Sequence, residues 1–233
     1  GLMRQRSTTL VACILVSTLA GTACSDSNEP EESLDARIRY VNVVKFTTGP
    51  VEIGLRNGPS QVVEFGDVTA YEALRPGDYV VFAEDEAGPL DANGSAFLSA
   101  GTDHTLAITG QSDLPRGMFF SDDPGVPDVG QAYVRVANGG LQVGPVDVYL
   151  LLPGEQVDGT PTVGALDWLN ITLYGEFSSG EITLVLTDVG TQDVVFDSGP
   201  ISLPSASVRT LLLFDGAEAI DDIDLLVLDD GGS

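Results

Sequence analysis

His104 is the one histidine of this 233-residue chain, and with Asp103 beside it and serines plentiful it invites an acid–base reading. A Ser-His-Asp arrangement needs an activated nucleophile, and no Gly-x-Ser-x-Gly elbow occurs. A repeat described below sets Thr210 against His104, so His104 is expected to be a polar residue at a strand start and not a base. Zinc needs clustered His or Cys. One histidine, and two cysteines that both lie near the N-terminus (Cys13 and Cys24), cannot build such a site in a folded domain. Calcium could use the acids. Asp91-Ala92-Asn93-Gly94 has the start of a calcium loop, but its glycine comes early and no Glu closes it, so an Asx-type turn is expected. Glu84-Asp85-Glu86 and Asp221-Asp222-Ile223-Asp224 read as solvated strand ends. Trp168 and Tyr174 could stack on sugar rings, with core packing of at least one the commoner outcome for such side chains. The sequons at Asn93 and Asn170 read as incidental. No catalytic, cofactor-binding or metal-ligating residue is assigned, and no enzyme activity is expected.

The formal net charge of −25 excludes nucleic acid and anionic lipid as partners by plain repulsion. Solubility, in surroundings salty enough to screen the self-repulsion, is the bland reading, and cation binding the sharper one.

The N-terminus reads as a targeting segment over residues 1–23. Met3 is the expected start, Arg4 and Arg6 supply a positive n-region, and Leu10 to Ala20 is apolar. That run is shorter than the about 20 residues a spanning helix needs. Small residues Gly21-Thr22-Ala23 then lead to Cys24. The segment resembles a bacterial lipoprotein signal peptide, in which the cysteine after the cleavage point is lipidated. It departs from that pattern at Gly21, where leucine is usual, and Gly-x-Ala also suits ordinary cleavage after Ala23. The resemblance implies lipidation of Cys24 and a place in the cell envelope, anchored to a membrane through lipid and extracytoplasmic; secretion is the alternative. Residues 24–35, rich in Ser, Glu, Asp and Asn, read as a disordered tether. With Cys13 removed, no disulfide can form within the folded part.

The remainder carries an internal repeat. Ala36–Asn42 aligns with Ala132–Asn138, and Gly49-Pro50-Val51-Glu52-Ile53 with Gly144-Pro145-Val146-Asp147-Val148. Tyr71 and Gly77 align with Tyr174 and Gly180, His104–Gly110 with Thr210–Gly216, and Phe119–Asp123 with Leu226–Asp230. The extra residues of the second copy fall mainly in Leu151 to Thr162, as insertions into a surface loop should. Each copy alternates apolar and polar residues, Val51, Ile53 and Leu55 against Val146, Val148 and Leu150, between turn signals such as Pro76-Gly77 and Asn93-Gly94. Seven or eight short strands per copy predict an all-β chain of two tandem immunoglobulin-like antiparallel β-sandwich domains. The first spans 36–121 and the second 131–230. A stiff join at 122–130 would hold them end to end, and Asp229 to Ser233 would fray.

These motifs together resemble the DUF4397 domain: the opening Ala-x-Ile/Val-Arg-x-x-Asn, the Pro-Val-Asp/Glu-Ile/Val strand, the Gly-Asp/Glu strand and the closing apolar strand. Lys45-Phe46-Thr47-Thr48 departs from it, where a short Pro-rich turn is usual. The resemblance implies a bacterial envelope or secreted protein, often with tandem domains behind a lipoprotein signal. It carries no catalytic residue with it. The function expected is a non-enzymatic binding or structural module on a surface, contacting a cell-surface glycan or protein through loops at one end of each sandwich. A calcium-dependent adhesion or polysaccharide-binding protein is the alternative, and a hydrolase the third class.

Overall fold

Alternating apolar residues make strands, and turn residues end them. A computed structural model describes residues 35–217 and 222–231, and these contain sixteen strands and no helix. The first half holds β1 (Ala36–Asn42), β2 (Val51–Leu55), β3 (Ser60–Val63), β4 (Glu72–Leu74), β5 (Gly77–Asp85), β6 (Gly88–Leu98), β7 (Asp103–Gln111) and β8 (Leu114–Ser121). The second holds β9 (Gln131–Asn138), β10 (Val146–Leu151), β11 (Val163–Leu166), β12 (Gly175–Ser178), β13 (Gly180–Asp188), β14 (Val194–Leu203), β15 (Ser207–Asp215) and β16 (Ile223–Asp229). The expected targeting segment, the tether up to residue 34, and Cys24 lie outside the described residues, as does Asp221.

Strand order repeats between the halves. Sheets β4-β1-β7-β8 and β3-β2-β5-β6 face each other in the first, and β12-β9-β15-β16 and β11-β10-β13-β14 in the second. Pairing is antiparallel except for β1 with β7 and β9 with β15, which run parallel. Val51 and Ile53 on β2, and Val146 and Val148 on β10, sit in equivalent inner positions of the two cores, as the repeat predicts. Asn42 and Asn138 match as well. Each is buried, donates from its amide to a backbone carbonyl and accepts a backbone N–H two residues on.

The register corrects the sequence alignment at the closing strands. Arg39 lies opposite Thr105, and Arg135 opposite Thr210, so Thr105 and not His104 is the counterpart of Thr210. His104 corresponds to Arg209. Likewise Phe120 lies opposite Thr105 and Leu228 opposite Thr210, which makes Asp122 the counterpart of Asp230. A one-residue slip exchanges the two faces of a strand, and in the last block it sets buried Phe120 and Asp122 against exposed Val227 and Asp229.

The halves are not end to end. β1, β7 and β8 bury their second face against β15 and β16, through Val41, Ala107, Met118 and Phe120 on one side and Leu212, Phe214 and Leu228 on the other. Phe65 meets Phe214 edge to face at 5.7 Å. Arg39 and Arg135, read as the polar face of half-buried strands, therefore lie inside. The terminus does not fray at Asp230, which is buried and whose N–H bonds the carbonyl of Val208. Asn93-Gly94 is not a turn either. It lies within β6, where a register shift opposite Val81 and Ala83 absorbs two extra residues.

Candidate functional site

The most chemically loaded cluster lies between the halves. Arg39 on β1 donates through Nε to Thr105 at 2.7 Å and through a terminal nitrogen to Asp230 of the other half. Arg135 on β9 mirrors it, donating through Nε to Thr210 at 2.7 Å and through a terminal nitrogen to Asp122 at 2.5 Å. Each arginine also donates across to a backbone carbonyl, Arg39 to Asp229 and Arg135 to Ser121. Tyr71 and Tyr174 close the set, donating to Asp122 and Asp230 at 2.8 Å, with Arg39 over the Tyr71 ring and Arg135 over the Tyr174 ring. Thr105 and Thr210 donate to the same two carboxylates.

Two carboxylates, two arginines and two tyrosines could serve an acid–base reaction. Here each is held by others of the set, with the arginines and carboxylates buried and the tyrosines half-buried over them, so the arrangement is a crossed lock. Burial, and then the neighbouring Asp122, raise the Asp230 carboxyl above its ordinary value, against the pull of Arg39 and Arg135. Burial likewise pushes both tyrosines up. Tyr174 is thus a lock residue and not a sugar platform. Trp168 is half-buried, with its indole N–H donating to the Gly139 carbonyl at 3.2 Å. The sequence alignment had found the arginines and tyrosines. It missed the threonines and acids by one residue.

His104 is buried and stacks on Phe119, centroids 5.3 Å apart and planes 7° from parallel. Asp103, on the opposite face of β7, is gripped by both nitrogens of Arg37 at 2.6 and 2.5 Å. The pair is therefore split between two environments and forms no dyad. Asp85 caps the β5–β6 hairpin, accepting the N–H groups of Thr48 and Ala87, which hold its carboxyl below the ordinary value. Asp91 and Asn93 are exposed along β6. Among the described residues no group of three or more His, Cys, Asp or Glu side chains is arranged to hold a metal.

The outer faces of β3-β2-β5-β6 and β11-β10-β13-β14 differ, although their inner faces match. In the second half, Tyr149 and Val185 are cross-strand neighbours and each only 4% exposed. Residues 152–162 fold beside them, with cavities of about 500 and 420 Å³ between Tyr149, Asp147 and this segment. Asp147 ties the region down by accepting the N–H groups of Ala165 and Gly190. In the first half the equivalent connection is only residues 56–59, and the face is bare. Val62 is 67%, Val80 49% and Phe97 61% exposed. Phe82 lies over Gly54, whose missing side chain leaves the space, and Arg56 lies over the Phe82 ring. The sequence pattern marked none of these as a surface.

A family model described as a domain of unknown function, DUF4397, matches residues 56–149. A DUF4397 domain is therefore found there, starting between β2 and β3 and ending in β10. No curated protein matches the chain. Among solved structures, the C-terminal domain of AlgF from P. aeruginosa is similar at 21% identity and TM-score 0.29, over 43% of this chain and 98% of that one. A streptococcal virulence factor described by its α-glucan binding is similar at 12% identity and TM-score 0.26, over 81% of this chain and 96% of that one. A family 26 carbohydrate-binding module from Eubacterium rectale, in complex with maltoheptaose, is similar at 11% identity and TM-score 0.25, over 82% and 96%. The strand pairing itself defines the class of this protein: all-β, with two sandwich-like halves.

Proposed function

We propose that the chain is an extracytoplasmic, non-enzymatic binding module, tethered to a membrane through a lipid on Cys24, and that each half is one copy of the DUF4397 domain. The bare outer face of β3-β2-β5-β6 carries the reading. A contiguous apolar surface that the other half covers, and this half leaves open, is a contact surface. Its occupant is a neutral glycan. Phe97 offers an exposed ring on this face, and Glu52, Asp78 and Glu84 on the same outer face repel anions. The insertion over Leu151 to Thr162, expected to be part of a contact surface, lies beside Tyr149.

The test is retention on insoluble neutral polysaccharides. A Phe97→Ala, Val80→Ser variant should lose retention while its unfolding midpoint stays within experimental error of the parent. Equal retention of parent and variant, or none of either, would overturn the glycan reading. The anchor has its own test: Cys24→Ser should move the protein from the membrane fraction to the soluble one, and a variant that stays bound contradicts the tether.

A further inference from the structure

Sheet edges are a hazard that folds blunt with short strands, prolines, bulges or cover. β3, β4, β11 and β12 are short, at four, three, four and four residues. β6 contains Pro89 and a register shift, and β8 packs beside it. β14 contains Pro200, Gly199 at φ 64° and two register shifts. Among the described residues β16 has none of these devices. Its seven residues run in unbroken register with β15, contain no Pro or Gly, and leave Val227 40% exposed.

The repeat explains why this edge is open. In the first half Gly117 of β8 backs onto the Ala92 carbonyl of β6, where an added Cβ would sit 3.5 Å away, and Phe119 fills the space beside His104. The equivalent positions of the second half are Leu225, Val227 and Arg209. Leu225 puts a branched side chain, packed on the second core, where the first half has glycine, and Val227 is too small to replace the Phe119–His104 stack. A cleft of about 680 Å³ remains between β14 and β16, lined by Phe196, Ile201, Ser202, Arg209, Leu225 and Val227. That volume lies in the range of small ligand sites, about 300–1,000 Å³.

We propose that β16 accepts an added strand from an extended basic polypeptide. The unpaired N–H and C=O groups along β16 supply the ladder, and Phe196, Ile201 and Leu225 receive every second side chain. Charge selects the partner. Asp197, Asp224 and Asp229 lie beside the cleft, and the Arg209 charge is already taken by Asp229 at 2.7 Å. Elsewhere Arg39, Lys45 and Arg135 are buried, so the surface is more acidic than the net charge of −25 suggests. Pairing of two copies through β16 would bring Asp224 and Asp229 against their own kind, which disfavours self-association. The proposal is independent of the glycan face, which belongs to the other half.

The test uses the full chain and three labelled nonapeptides, read by fluorescence anisotropy at physiological salt. One alternates lysine and valine, one keeps its charge but carries proline at two valine positions, and one alternates glutamate and valine. The lysine–valine peptide should bind at least tenfold more tightly than either of the others. Val227→Lys, an exposed substitution that blunts the edge, should weaken it at least tenfold, and Leu225→Gly, which copies the closed half, should do the same. Glycan retention should be unchanged in Val227→Lys, separating this site from the other. Equal binding of the lysine–valine and proline peptides would show charge attraction alone and overturn the proposal. So would binding indifferent to Val227→Lys, or light scattering showing a dimer that Val227→Lys dissolves.

Discussion

Arg135 carries its charge into a space closed to water, where it is tolerated because Asp122, Thr210, the Ser121 carbonyl and the Tyr174 ring all meet it. Removing one member of such a set strands another. Arg135→Ala should cost about 3–5 kcal/mol of stability, the usual penalty for an uncompensated buried charge. Arg37→Ala breaks a partly exposed pair with Asp103 and should cost about 0–1 kcal/mol. Urea midpoints of the two variants check the contrast, and equal losses would contradict it. The pH dependence follows from the raised carboxyl of Asp230, which faces Asp122, Arg39, Arg135, Thr210 and Tyr174. A carboxyl raised on folding contributes stability below its unfolded value, lost as pH rises through its folded value. Asp215, also raised by burial, acts in the same direction. Stability from these groups should therefore fall as pH rises from below the ordinary carboxylate range through their folded values. Asp230→Asn should gain on the parent over that rise, and a parent–variant difference that does not change with pH would contradict the assignment.

Among the elements, β8 and β16 show how one position decides an edge. A Cβ at Gly117 would meet the Ala92 carbonyl at an ordinary 3.5 Å, so Gly117→Leu, whose branches reach beyond that Cβ, should crowd β8 against β6 and cost about 1–3 kcal/mol, the range for overpacking. A denaturant midpoint indistinguishable from the parent would refute that cause. The strands themselves were legible because Val51, Ile53 and Leu55, and their partners in the second copy, alternate with polar residues at the period of a strand. The inter-half face was not. Arg39 and Val41 alternate with Ile38 and Tyr40 as they would on any half-buried strand, and no local signal says that the second face is covered too. Asp122 and Asp123 are indistinguishable in sequence, as are Asp229 and Asp230, and only the register selects which of each pair turns inward. The bare outer face of β3-β2-β5-β6 and the open edge escaped for a related reason. Both are defined by what does not pack over them, which depends on loop length and on single residues such as Gly117 and Leu225.

At the scale of the whole molecule, the chain repeats one sandwich plan and fuses the two through the faces that carry Arg39 and Arg135. Separated, either half would expose the shared apolar surface of Val41, Phe120, Leu212 and Phe214 and leave its arginine without the carboxylate supplied by the other. The central claim is that the buried Arg–Asp–Tyr cluster is structural and makes the two halves one cooperative unit, leaving binding to the outer surfaces. Differential scanning calorimetry of the folded chain tests it most directly. The account predicts one transition whose calorimetric and van't Hoff enthalpies agree, coincident with the fluorescence change of Trp168, the only tryptophan, whose ring lies beside Gly110 of the first half and so reports on the contact between the halves. Two resolved transitions, or a calorimetric enthalpy about twice the van't Hoff value as two independent two-state units would give, would contradict it.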